Sequence, residues 1–205
     1  MNIFKTIITS LFLTFWFSLI YGQEVLHEFE PLEIIDTIKS QKVMDQIKSK
    51  DVVKNSSFFF TQKYNKEEGL FLIEKKGNYW IVYNYDKYFI SNYSINKHKI
   101  HSKRYVSIDI SVMRSGWGEN YYGWFILFDL EKRTYLVIQT FSHNSEDDKN
   151  HEKYINTRKC SSKIVYQNGM LIITRKCNPN GEKNYCSNCV ESGKYKIVNN
   201  KLIKQ

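Results

Sequence analysis

The 205-residue chain holds only two prolines and nine glycines. That scarcity excludes collagen-like and low-complexity chains, which are built largely from those residues. Acidic groups are short as well, 21 against 30 basic ones, which leaves a net charge of +9. Common catalytic signatures are missing: no Gly-x-Ser-x-Gly, no His-Glu-x-x-His, no phosphate-binding glycine loop and no dinucleotide fingerprint. After residue 22 no run is apolar enough to span a bilayer as a helix, which takes about 20 residues. The reading therefore leans away from an enzyme and expects neither cofactor nor metal.

What the chain does have is aromatic area. With 15 Tyr and 13 Phe it can bury one core, and its length suits one domain, two at most.

Residues 1–22 read as an address. A single charge, Lys5, precedes the apolar run from Ile7 to Ile20, which ends at Tyr21-Gly22 before polar Gln23 and Glu24. This is the pattern of a secretory signal peptide. Cleavage after Gly22 would leave about 183 residues in an extracytoplasmic compartment, secreted or periplasmic, without a membrane span. The charge is uneven: residues 153–205 carry eleven basic and two acidic groups. A basic end of that size can attract an anionic surface, although charges interleaved with core residues also describe an ordinary solvated face.

The chain divides into the signal at 1–22, a helical segment at 23–54 and an antiparallel β domain at 55–205. Between Pro31 and Val53 the apolar residues Ile34, Ile35 and Ile38 share one helical face, and Val43, Met44 and Ile47 the opposite one. One or two short helices meeting near Ser40, an N-cap residue, account for that break. From Asn55 on, short aromatic and β-branched runs predict strands near 58–64, 70–75, 79–84, 87–93, 104–113, 123–129, 134–141, 161–167, 170–176, 194–198 and 201–204. Val106, Ile108, Ile110 and Val112 alternate with Ser107, Asp109 and Ser111, which implies one wet face. Trp124–Phe128 and Tyr135–Ile138 are apolar on both faces and so belong at the centre. The fold class is mainly β (α+β by count), an antiparallel meander closing as a barrel or a two-layer sandwich, with short N-terminal helices.

Asn168-Gly169 is a strong two-residue hairpin signal. Counting outward from it, Cys160 faces Cys177, which predicts a crosslink in an exported protein. Cys186 and Cys189 are then left for a small local disulfide. The competing readings are a four-Cys zinc site, which lacks a second close pair, and a redox C-x-x-C, which lacks a following helix.

The segment from Arg114 to Trp124 sets three glycines among Trp117, Tyr121, Tyr122 and Trp124. Read as a connection between strands, its flat aromatic faces beside Asn120 and Glu119 suit a sugar ring, a base or a protein partner. Arg114, Trp117, Tyr121, Tyr122 and Trp124 are the candidate ligand-binding residues, and no catalytic residue is assigned. Lys97–Arg104 and Ser142–Lys153 contain histidines and acids but read as solvated connections rather than metal sites. Together these features describe a secreted or periplasmic, non-enzymatic binding protein using an aromatic loop and basic patches. Its expected partner is a protein, a glycan or a small hydrophobic ligand, with an anionic surface as a further one, and the export signal argues against nucleic acid. The alternatives are a hydrolase using strand carboxylates such as Asp109 and Asp129, or a lipocalin-like carrier.

Overall fold

The computed structural model describes residues 25–42, 47, 51–52, 57–65, 67–85, 93–116, 118–147, 154–179 and 189–205. The expected signal peptide, Trp117, Cys186 and most of the predicted strand at 87–93 lie outside them.

The described residues form two antiparallel sheets. The smaller one orders β3 (Glu33–Ile38), β7 (Tyr79–Asn84), β6 (Glu67–Lys76), β5 (Phe58–Tyr64) and β4 (Asp51–Val52). The larger begins with β1 (Val25–Glu28), β15 (Lys201–Lys204), β14 (Gly193–Val198) and β13 (Met170–Cys177). It continues through β12 (Tyr154–Gln167), β11 (Thr134–Asp147), β10 (Gly118–Asp129), β9 (Tyr105–Gly116) and β8 (Tyr93–Ile100). The short β2 (Glu30–Pro31) pairs with β11. With β1 and β8 as its two ends, the larger sheet is open rather than a closed barrel.

Packing follows the alternation of each strand. One face of β9–β11, with Val106, Ile108, Ile126, Phe128 and Val137, meets Phe58, Phe60, Leu70 and Leu72 of the smaller sheet. At the centre of that interlayer core, Phe128 lies 5.0 Å from Phe60 and 4.8 Å from Tyr85, the latter edge to face. The opposite face of β10–β11, with Phe125, Leu127, Leu136 and Ile138, meets Leu171, Ile173, Tyr195 and Leu202 of β13–β15. Since both partners belong to one sheet, the larger sheet folds back over itself. That explains why 124–128 and 135–138 are apolar on both faces. A third cluster, including Phe71, Ile73 and Trp80, fills the far side of the smaller sheet, where Ile47 packs.

The fold turns at β12. Its ladder with β11 runs from Asp147↔Tyr154 to Phe141↔Ser161 and, among the described residues, stops there. From Cys160 to Gln167 it pairs with β13. Asn168 and Gly169, with φ of 50° and 76°, make that hairpin turn as predicted. Cys160 is disulfide-bonded to Cys177, with Cα atoms 4.1 Å apart. Cys189 is disulfide-bonded too.

Several segments differ from the sequence reading. Glu33–Ile38 is an edge strand rather than a helix. Four of its six residues are β-branched, and β7 offers a ladder that outweighs a weak helical period. Ile34 and Ile35, placed on the buried helical face, are exposed. Residues 41–42 are helical directly after Ser40, the expected cap. Lys97–Ile100 belongs to β8, and Ser142–Asp147 extends β11. Both polar runs are strand because each has a partner ladder, the first against β9 and the second against β10 and β12.

Candidate functional site

Where β12 leaves β11 it overhangs the sheet, and a cavity of about 450 Å³ opens beneath it. That volume falls in the range of small-molecule sites, about 300–1,000 Å³. Asp109, Ile110 and Ser111 of β9, Gly123 of β10 and Thr140 and Phe141 of β11 line its floor. Ser162, Lys163 and Ile164 of β12 form the lip.

The floor is deep because position 123 has no side chain. A Cβ there would lie 3.1 Å from the Phe141 Cβ and 3.2 Å from the Thr140 Oγ1. The β10–β11 register also shifts between Gly123 and Trp124, so Thr140 is an extra residue opposite them. Such a bulge re-aims neighbouring side chains.

Asp109 is half-buried at this floor. Burial pushes its carboxyl up, against the pull of Lys97 across the β8–β9 ladder. The sequence reading gave Asp109 solvent as its partner. Instead β12 covers the face of β9 that carries Ser107, Asp109 and Ser111, and Ser107 is buried. The period-two pattern shows that this face is polar; it does not show that a strand some 50 residues later crosses over it.

Beyond the cavity the same face is closed by packed polar groups. His101 Nε2 lies 2.8 Å from the Ser107 Oγ, and the ring of Tyr166 on β12 sits 4.8 Å from that of His101 and 5.4 Å from that of Tyr105. Arg104 lies over Tyr105 and donates to Asp129 from both Nε, at 2.9 Å, and Nη2, at 2.6 Å. This fork binding fixes a carboxylate that is 1% exposed. The two carboxylates considered for hydrolysis are thus set apart. Asp109 pairs with Phe125 and Asp129 with Tyr105, four residues further along, or about 13 Å. Glycoside hydrolysis requires a pair within about 5–9.5 Å.

The described aromatic candidates, Tyr121, Tyr122 and Trp124, lie in a strand. Gly116 pairs with Gly118, so the segment is the tip of a long β9–β10 hairpin, with Arg114 in β9 opposite Asn120. Strand alternation splits the set. Tyr122 and Trp124 stack with ring centres 6.0 Å apart, and Trp124 packs against the interlayer core. Tyr121 is paired in register with His143 and meets it edge to face at 5.7 Å. His143 lies 6.5 Å from Phe141, whose ring carries the Lys159 ammonium at 5.9 Å. Tyr121 is therefore the one described candidate that continues, through His143 and Phe141, to the cavity. Thr140, Phe141 and Ser162 escaped the sequence reading because their meeting depends on the bulge and on β12 crossing over.

Among the described residues, no group of three or more His, Cys, Asp or Glu is arranged to hold a metal, and no helix is long and apolar enough to cross a membrane. Comparison with family models, with curated proteins and with solved structures finds no match for this chain.

Proposed function

We propose that the protein is a non-enzymatic binding protein of an extracytoplasmic compartment, secreted or periplasmic, that holds a small polyhydroxylated ligand such as a sugar beneath β12. The observation that carries this reading is the half-buried Asp109 at the cavity floor, whose carboxyl is pushed up by burial against the pull of Lys97. Ligand hydroxyls donating to it would offset that loss of hydration. Ser111, Thr140 and Ser162 add both donors and acceptors, and Phe141 adds an apolar face for a ring. The secretory-signal pattern and the disulfide support the compartment.

Two alternatives are less favoured. A hydrolase would need a second carboxylate near Asp109, whereas Asp129 is distant and held by Arg104. A carrier for a hydrophobic molecule would need an apolar cavity, whereas this cavity is edged by hydroxyls, a carboxylate and Lys163.

Calorimetric titration with glucose, galactose, mannose and N-acetylglucosamine provides the test. At least one should bind; Asp109→Ala should weaken it by about tenfold or more, as expected for a lost charged hydrogen bond, and Phe141→Ala should weaken it by removing the apolar face against the ring. Substituting the exposed Tyr79 by Ala should leave binding unchanged. Absence of binding to all four sugars, or equal affinity in the Asp109 variant, would refute the proposal.

A further inference from the structure

The outward face of β12–β15 carries a second, differently built surface. Strand alternation directs Leu171, Ile173, Tyr195 and Leu202 inward, so their neighbours face out. On that outer side stand Lys163 of β12, Lys176 of β13, Lys194 and Lys196 of β14 and Lys201 of β15. All but the half-buried Lys201 are exposed. The only acidic partner on this face among the described residues is Glu28, whose carboxylate lies 2.7 Å from Lys201.

The registers place these lysines relative to one another. Ser161 is opposite Lys176, Lys163 opposite Thr174, Ile172 opposite Lys194 and Val198 opposite Lys201. With strands about 4.8 Å apart and a rise of about 3.3 Å per residue, the ammonium-bearing positions fall in single file. They run diagonally across four strands in the order Lys176, Lys163, Lys194, Lys196, Lys201. Consecutive positions are about 7–12 Å apart over a track of about 28 Å. The track starts beside the lip of the cavity, at Lys176 and Lys163, and ends at the Glu28–Lys201 pair.

We propose that this track binds a linear acidic polysaccharide, one bearing a carboxylate on every sugar or every second sugar. A single file of point charges matches a linear polyanion better than a lipid surface, which would favour a broad patch. The cations are lysines, whose compact ammonium suits spaced carboxylates, rather than arginines, whose planar fork suits bidentate phosphate contacts. Among the described side chains of this face no aromatic ring points outward, since Tyr166 and Tyr195 point into the core. The stacking platforms that hold single-stranded nucleic acid are therefore missing from this face. The proposal goes beyond the cavity site and does not require it, although one chain could occupy both.

Binding of a hyaluronan oligosaccharide to the intact protein, measured against salt, tests it. Affinity should fall steeply as salt rises. Lys194→Glu with Lys196→Glu should weaken binding by about tenfold or more at low salt, against a 1.4 kcal/mol equivalent for each tenfold. The control Lys39→Glu with Lys42→Glu makes the same change in net charge at exposed positions elsewhere and should have little effect. Thermal melts of both variants should match the parent, as is usual for exposed substitutions. The inference is overturned if the two double variants bind alike, if the parent ignores hyaluronan, or if it prefers phosphatidylglycerol vesicles or an oligodeoxynucleotide of equal charge. Asp109→Ala separates the two sites: it should weaken neutral-sugar binding by about tenfold or more while leaving hyaluronan binding in place.

Discussion

His101 shows how its surroundings fix one residue's charge. Burial, with the neighbouring Lys99 ammonium adding to it, pushes the imidazole down to about 4 from an ordinary 6.5. Ser107 and the Tyr166 ring face it with no negative charge of their own. In the unfolded chain the ring protonates near pH 6.5, while in the folded chain it resists until about pH 4. The contribution of neutral His101 is therefore complete above about pH 6.5, declines as pH falls from there to about 4, and then levels off. Urea midpoints of the parent should fall through that window, and those of His101→Gln should be flatter across it. Parallel curves would show that the ring does not carry the effect. This residue was read from the sequence as part of a solvated basic run, because nothing local reveals that Tyr166, 65 positions later, stacks on it.

At the scale of the element, β10 depends on having no side chain at Gly123. The close Phe141 and Thr140 contacts leave a new Cβ room only if the β11 bulge yields. Gly123→Ala should cost about 1–3 kcal/mol by overpacking and lower the melting temperature. An alanine variant as stable as the parent would mean that the bulge relaxes freely. Strand limits were largely legible: β5, β7 and β15 coincide with the runs read from the sequence, because their β-branched and aromatic residues are bounded by turn residues. The Cys160–Cys177 pairing was legible for a related reason, since the Asn168-Gly169 turn sets the register and the ladder carries it unbroken to the cysteines. The bulge at Thr140 was not legible. It is decided by what lies across the sheet, as is the extension of β11 through Asn144 and Ser145.

Across the whole molecule, the two sheets are tied by more than their interlayer core. Glu74 of the smaller sheet is 2% exposed and accepts from Arg133, in the β10–β11 turn, at 2.6 Å, from Lys76 at 2.7 Å and from the Tyr83 hydroxyl at 2.8 Å. Burial alone would raise this carboxyl, but hydrogen bonds from Arg133, Lys76 and Tyr83 hold it below the ordinary glutamate value. Its contribution is intact above about pH 4.5 and lost as pH falls through the lower folded value. Glu74→Gln should destabilise by about 2–4 kcal/mol in urea denaturation, since it strands the Arg133 guanidinium beside a buried neutral group. A loss below about 0.5 kcal/mol, typical of surface changes, would show that the apolar layers alone join the sheets. The layering itself was only half legible: apolar residues on both faces marked β10 and β11 as central, but the covering layers come from segments distant in sequence.

The pairing of β1 with β15 has a consequence for the order in which this protein is completed. Val25 meets Ile203, 178 residues later in the chain. At a synthesis rate of about 5–20 residues per second, the first strand waits roughly 10–35 seconds for its neighbour to exist. β2 waits less long, for β11, and β3 less again, for β7. β1 alone of the three must wait for the last strand, and until it pairs β15 keeps an open edge. The sheet is thus closed off by joining a strand made early to one made late, so that its last ladder forms only when both are present.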